Sequence, residues 1–377
     1  MIETEMYRIA EVNMDSLLRK FIVFPDILYR DCPQYVPALH SDQKKSLTGV
    51  STLSYCKRKM WLVTDGDGKV AGRICGMINP RYNERYGRRR ARFGWFDTVD
   101  DMEVARLLLG TAEAWAKENG MDEIHGPLYY NTLGKQGMLV EGFDNVPPFN
   151  CIYNYKYYSG LVEQLGYVKE CDWVQYKVAI DQPVPEKIAR LGGLLKRKYG
   201  IKEGSVDRLK KDRKKIREFF DVYNRSFADS VLNFIPFTDE EIDEEAKAAM
   251  PFISDRLCSV LTGPDDRLAA FGIVFPSISA ALQKARGRLF PTGWIHILKA
   301  VYGRNDTLDM MLNGAAPEWQ NTGISSVFHV IMAEKMKASG AKTAITNPQI
   351  ESNSAAFVWA RYKSELYMRR RCYIKTL

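Results

Sequence analysis

Residues 307–340 read TLDMMLNGAAPEWQNTGISSVFHVIMAEKMKASG, and residues 341–353 continue AKTAITNPQIESN. Leu308 to Leu312 is a short apolar run that stops at Asn313-Gly314, the pattern of a buried strand. Pro317 to Gly323 interrupts it as a turn. Ile324, Val327, Phe328, Ile331, Met332 and Met336 then recur three and four residues apart, with Lys335 and Lys337 late and Gly340 as a stop, which predicts a helix. Ala344-Ile345-Thr346 reads as a second strand. A strand, a tight glycine-bearing loop and a helix start leave main-chain N–H groups free at the positive end of a helix dipole. That combination makes an anion site, most often one for phosphate.

Gln320-Asn321-Thr322-Gly323-Ile324-Ser325 in this position resembles the acyl-CoA-binding loop of the GNAT superfamily of N-acyltransferases. That family's pattern is Gln/Arg-x-x-Gly-x-Gly/Ala, and the loop holds the CoA pyrophosphate. The leading Gln320 and the central Gly323 match. Asn321 stands where a glycine is usual, and Ser325 replaces the final Gly or Ala. The resemblance implies acyl-CoA or acetyl-CoA as co-substrate, bound by Gln320 to Ser325, with the main chain around Gly314, Ala315 and Ala316 polarising the thioester. It also implies an amine as acceptor.

With 377 residues, 46% of them hydrophobic and 12% aromatic, the chain has enough apolar matter for two or three cored domains. A net charge of +8 suits an anionic partner without choosing among CoA, a membrane surface and nucleic acid. The seven cysteines are scattered with no C-x-x-C pair, and the four histidines lie far apart in sequence, so neither a disulfide framework nor a metal site is expected. No apolar stretch is long enough for a membrane span and no signal peptide opens the chain, so a cytoplasmic setting is expected.

Strand-like segments at Met60–Val63 and Val70–Ile78, joined by Asp65-Gly66-Asp67-Gly68, predict a hairpin. Phe93–Phe96 is a further strand, and Met102–Asn119 a helix with Val104, Leu107, Leu108, Ala112 and Trp115 on one side, stopped by Gly120. Pro183 and Pro185 mark a boundary. Beyond it, helices near 207–226 and 238–249, a hairpin of Leu257–Thr262 with Leu268–Phe275, and the 307–353 stretch repeat the plan, offset by roughly 200–220 positions. The expectation is an α/β fold of the α+β type: tandem GNAT-like domains at 1–182 and 183–377, each a mostly antiparallel sheet flanked by helices. Where the second half carries its loop, the first has Asp97-Thr98-Val99-Asp100-Asp101, whose carboxylates repel a pyrophosphate. The acyl-CoA site is therefore expected in the second domain.

Acyl transfer to an amine needs a base for the attacking ammonium, a donor for the thioester oxygen and an acid for the leaving thiolate. The resemblance places an Asn at Asn353 and assigns the acid to a Tyr, here Tyr362, close to the usual position, which Trp359-Ala360 occupies. Glu318 and Glu351 are candidates to relay a proton, and His329, on the polar-to-apolar border of its helix, reads as structural.

Residues 277–301, SISAALQKARGRLFPTGWIHILKAV, are cationic, amphipathic and carry Trp294, a composition that suits an anionic bilayer or a greasy groove. This insertion, with FGWFDTVDD and EGFDNVPPFNCIYNYKYY, resembles a bacterial GNAT-like family associated with lipid synthesis, sphingolipid synthesis among the candidates. That implies a long-chain or lipid amine as acceptor, as for a ceramide synthase, while the composition of residues 277–301 suits peripheral contact with the inner membrane. The Arg81, Arg85, Arg88, Arg89, Arg90 and Arg92 group, with Tyr82 and Tyr86, is expected to be a solvated loop or a lipid-headgroup contact rather than a nucleic-acid patch, and Arg369-Arg370-Arg371 the exposed end of a last strand or an interdomain contact to CoA phosphate. Two other functions fit the same fold: a peptidoglycan-type aminoacyl transferase using aminoacyl-tRNA, and a degenerate binding module without catalysis.

Overall fold

A computed structural model describes residues 6–228 and 233–377. The chain forms two compact units, Met1–Trp173 with Ser279–His296 and Met368–Leu377, and Val174–Ile278 with Ile297–Tyr367. In the first half of the sequence the elements are β1 (Tyr7–Glu11), α1 (Asp15–Leu28), α2 (His40–Thr48), β2 (Lys57–Asp65), β3 (Val70–Ile78), α3 (Pro80–Tyr86), β4 (Arg90–Thr98), α4 (Met102–Glu118), β5 (Glu123–Gly126), β6 (Met138–Glu141), α5 (Tyr157–Gln164) and β7 (Val168–Ala179). The second half adds α6 (Glu186–Lys198), β8 (Lys202–Gly204), α7 (Val206–Leu209), α8 (Arg213–Phe227), α9 (Asp239–Ala249), β9 (Ser259–Thr262) and β10 (Leu268–Pro276). It continues with α10 (Ser279–Ala285), α11 (Gly293–Tyr302), β11 (Thr307–Ala315), α12 (Ile324–Ala338), β12 (Thr343–Ile345), β13 (Gln349–Ile350) and β14 (Ser364–Thr376).

The first unit's sheet runs β1-β2-β3-β4-β5-β14, antiparallel except for the β4–β5 pair. Its central hairpin turns where the Asp-Gly repeat predicts, with Gly68 N–H donating to the Asp65 carbonyl at 3.0 Å. Helix α4 buries Val104, Leu108 and Ala112, and Gly120 ends it at φ +77. The second unit's sheet runs β7-β12-β11-β10-β9-β8, again antiparallel except for one pair, β11–β12. Its core sets Ile324, Val327, Ile331 and Met332 of α12 against Ala270, Val274, Leu308 and Ala344 of the sheet. The mixed α/β class and the repeated plan are as expected from sequence.

The strand beyond each parallel pair comes from the opposite half of the sequence. Tyr373 to Thr376 of β14 pair with Gly126 to Glu123, and Lys177 to Ala179 of β7 pair with Ile345 to Thr343.

The arginines correct two expectations. Arg90 and Arg92 are buried on β4 rather than lying in a solvated loop. Arg90 meets Glu170 at 2.6 Å and Glu123 at 2.8 Å, and Arg92 donates to the carbonyls of Tyr129 and Tyr130. Arg370 is fully buried and donates to the Ile152 carbonyl, while Arg371 grips Asp172 through two hydrogen bonds. Specific carboxylate and carbonyl partners make burial of these guanidinium groups tolerable, and run composition carries no sign of such partners.

Candidate active site

The two parallel strand pairs behave differently beyond their last paired residues. In the first unit the chain after β5 stays against β4, with Leu128 N–H donating to the Phe93 carbonyl at 2.8 Å. Trp95 and Tyr129 stack at 3.5 Å in the space that follows. Asp97 is consumed by a buried pair with Arg73 at 2.7 Å and by the hydroxyl of Tyr29 at 2.9 Å. Asp101 caps α4 itself, accepting from the N–H groups of Glu103 and Val104 at 2.7 and 3.3 Å. The helix start that an anion would use is already satisfied by a carboxylate.

In the second unit β11 and β12 part after Asp309 and Ile345, their last paired residues. β12 continues toward β7, where Thr346 N–H donates to the Tyr176 carbonyl at 2.9 Å. Between the parting strands and α12 opens a cleft of about 800 Å³, mouth included. Met310, Leu312, Phe328, Met332, Val178 and Trp359 make it apolar, and Asn313, Asn347, Gln349, His329 and Tyr362 add the polar groups. A mostly apolar cleft with a few convergent polar groups is the usual form of a small-molecule site.

The predicted phosphate loop adjoins this cleft's helix. Gln320 turns inward and donates to the carbonyls of Ala315 and Ser226 at 3.0 and 3.1 Å, so its side chain braces the loop. Asn321 and Gly323 both take positive φ, +61 and +87. Asparagine tolerates that conformation, which is why the loop closes without its usual first glycine. Thr322 folds its hydroxyl onto the Trp319 carbonyl at 2.6 Å. Gly323 is the N-cap of α12 and no side chain caps this helix. Among the described residues nothing accepts from the main-chain N–H groups of Asn321, Gly323, Ile324 or Ser325. Four donors therefore remain at a helix start, in contrast with α4.

The other candidates scatter. Ala316 N–H is spent on the Ala269 carbonyl at 2.9 Å, so any polarising donor must come from earlier in β11, whose far edge has no ladder after Asp309. Glu318 is exposed and pairs with Arg225 at 3.1 Å, outside the cleft lining. Asn353 lies beyond β13, its N–H on the Ile350 carbonyl, and the asparagines that line the cleft are Asn313 and Asn347. Tyr362 is in the cleft, its hydroxyl 3.1 Å from Nδ1 of His329 with the rings stacked at 5.7 Å. Trp359 packs on both rings and is fixed by Gln349 at 3.1 Å. Burial pushes the His329 imidazole down to about 4 and the Tyr362 phenol up to about 12, so both are neutral near pH 7.

Two features are invisible to motif reading. Asp309 is buried on β11, neither carboxyl oxygen finds a hydrogen-bond partner among the described residues, and desolvation pushes it up to about 7 against a smaller opposing pull from Ser277. In the first unit His125, Glu170 and Cys372 bring their ligand atoms within 4.8 Å of one another. Hydrogen bonds explain the cluster: His125 Nδ1 and the Cys372 thiol both donate to Glu170 Oε2, and Arg90 holds Oε1.

No protein-family model matches the chain. It is 28% identical to Protein YghO of Escherichia coli (strain K12) over 374 residues, covering 96% of this chain and 93% of that protein. It is also 28% identical to the Bacterial ceramide synthase of Caulobacter vibrioides (strain NA1000 / CB15N) over 297 residues, 77% of this chain and 75% of that one. Among solved structures, the tandem GNAT protein from the clavulanic acid biosynthesis pathway superposes with a TM-score of 0.56 at 11% identity over 98% of both chains. A GCN5-related N-acetyltransferase from Sphaerobacter thermophilus gives a TM-score of 0.55 at 12% identity, covering 98% and 95%. The GCN5-related glucosamine N-acetyltransferase region of a fungal multi-domain GH3 beta-N-acetylglucosaminidase gives 0.60 at 13%, over 99% of this chain, which spans 38% of that longer protein.

Proposed function

We propose that this chain, which has the tandem GNAT fold, is an acyl-CoA-dependent N-acyltransferase whose reaction runs in the cleft of the second unit. The observation that carries the reading is the parting of β11 and β12 beside an uncapped helix start. One ligand can put its phosphates on the free N–H groups of Asn321, Gly323, Ile324 and Ser325 and run its apolar arm into the cleft. The first unit, with its strands held together and α4 self-capped, serves as support without a CoA site.

The chemistry assigned to the cleft is attack of a neutral amine on the thioester carbonyl, collapse of the tetrahedral adduct to the amide, and departure of CoA as its thiol. Tyr362 delivers the proton to the departing sulfur, and the proton that the amine nitrogen sheds as the amide forms restores the phenol. His329 sits as the Nδ1–H tautomer, donating to the Tyr362 oxygen, which leaves the phenolic proton free for sulfur and steadies the phenolate that follows. The tautomer is assigned from this role. The acceptor is an amine, and a long-chain lipid amine is the member of that class we favour. The apolar lining of the cleft and the similarity to a protein named as a ceramide synthase support it. A cytoplasmic setting is consistent with the seven free cysteines.

The test is the melting temperature against CoA, acetyl-CoA and palmitoyl-CoA with a matched detergent control. A rise with all three, largest for palmitoyl-CoA, supports a long-chain acyl donor, whereas equal rises for CoA and acetyl-CoA indicate a small acyl group. No shift well above micromolar ligand leaves a binding module without CoA as the better reading, and a response to aminoacyl-tRNA alone turns the assignment to aminoacyl transfer.

A further inference from the structure

The segment between β10 and β11 resolves into an anchored part and an unanchored one. Helix α10 is anchored: Ala281, Leu282 and Ala285 are buried, Ser279 donates to the Pro147 carbonyl at 2.8 Å, and Gln283 donates to the carbonyls of Pro33 and Tyr35 at 2.7 and 3.1 Å. His40 N–H on the Gly287 carbonyl at 2.9 Å holds the turn that follows. From there the chain presents large apolar side chains to water at every fourth position. Phe290 is 77% exposed, Trp294 43%, Leu298 41% and Tyr302 67%. The four-residue spacing keeps Trp294, Leu298 and Tyr302 along one stripe of α11, and Phe290 stands exposed in the turn that leads into it.

Along this segment's own sequence the charge has one sign. Lys284, Arg286, Arg288, Lys299 and Arg304 are exposed, and none forms an ion pair among the described residues. The sequence from Ser277 to Asn305 contains no Asp or Glu. A surface helix normally mixes signs, and exposed aromatics of this size are costly in water unless something covers them.

We propose that α11 and its lead-in are a docking face for an anionic lipid bilayer, with Phe290, Trp294 and Leu298 entering the interface and the cations meeting headgroup phosphates. Aromatic anchors beside unpaired Lys and Arg on a short helix are the arrangement that lies in a membrane surface rather than across it. Among the described residues no helix is long and apolar enough to cross a membrane. The cations alone would also suit nucleic acid, but a polyphosphate does not call for a solvent-facing apolar stripe. This proposal stands apart from the acyltransferase reading, because a face can bind lipid whatever the cleft does.

Co-sedimentation of the full chain with vesicles tests it. Vesicles of phosphatidylcholine alone are compared with vesicles containing about 30% phosphatidylglycerol, at about 0.1 M and 0.5 M NaCl. The expected result is at least tenfold tighter partitioning to the anionic vesicles at low salt, weakened at high salt. Trp294→Ser with Leu298→Ser, and separately Arg288→Glu with Lys299→Glu, each lower that partitioning at least tenfold. Arg19→Glu with Lys20→Glu, a matched charge change on α1, does not. Should the Trp294 variant lose its fold, Phe290→Ser at the most exposed position reads the same contact. Absence of vesicle binding, loss of binding equal to that of the α1 control, or unchanged binding in the stripe variants overturns the proposal. So does RNA binding that depends on the cations while vesicles are ignored.

Discussion

Tyr362 and His329 meet at 3.1 Å across 33 residues of sequence, the tyrosine just after the 3-10 segment Ser354–Arg361 and the histidine on the second turn of α12. Helix and segment wall the same cleft, so the pair exists only because the chain between them goes into the sheet and out again.

If the pair handles the proton, Tyr362→Phe lowers kcat by about 10²-fold while the CoA-induced rise in melting temperature persists. His329→Leu also lowers kcat, and His329→Asn, which restores an N–H donor, recovers part of it. A structural role alone predicts equal damage from both histidine variants, with melting temperature falling in step. The acid limb of the kcat profile should report imidazole protonation below pH 6.5, since burial favours the neutral ring.

Ser325→Asp separates fold from ligand. Ser325 is exposed in the first turn of α12, where a carboxylate favours the helix dipole by about 0.3–1 kcal/mol. The same charge confronts a bound phosphate. The variant should melt at the same temperature or higher without ligand and bind CoA at least about tenfold more weakly by calorimetry. It is a cleaner probe than Gly323→Glu. That change also ends CoA binding, but it puts a side chain at φ +87 with a Cβ 2.8 Å from Leu195.

Asp309 gives a stability prediction with a definite sign. Folding raises its pKa from 3.8 to about 7, so the protonated form suits the fold. The stability is complete below pH 3.8 and is lost as pH rises toward 7. Asp309→Asn should therefore be more stable than the parent above pH 7, by about 2–4 kcal/mol, and the two should converge toward pH 4. Urea unfolding at pH 4.5 and pH 8 checks it; a variant less stable at pH 8 gives the carboxylate a partner of value.

The first unit is held by Arg73 and Asp97, both buried, with Tyr29 as a second donor to the aspartate. Arg73→Met alone strands a buried carboxylate and should cost about 3–5 kcal/mol, whereas Arg73→Met with Asp97→Leu should regain most of it. Melting curves of the singles and the double decide the matter.

Much of the scaffold was legible because its signals are local. Asp65 to Gly68 forces a hairpin, and the apolar spacing from Ile324 to Met336 can only be served by a helix. Helix α6 was missed behind two prolines, because a proline before a helix start looks like a linker. The strand, turn and helix start around Gly323 were legible too. The polar partners were not. His329 sits on a helix border where neither burial nor exposure is implied, and Asp309 interrupts an apolar run without any motif. Arg370 looked exposed within a basic run, and what buries it is a carbonyl at Ile152.

The exchange of strands sets an order on the folding of a chain made from its N-terminus. When residue 126 has been made, β5 has its parallel neighbour β4 but an open edge on the other side. That edge waits for β14, nearly two thirds of the sequence later, and α10 reaches Pro33 and Tyr35 only after β10 has formed. The first unit is thus among the last parts to be finished. An N-terminal fragment ending near residue 180 should be sticky rather than merely inactive, its unpaired β5 available to any other strand.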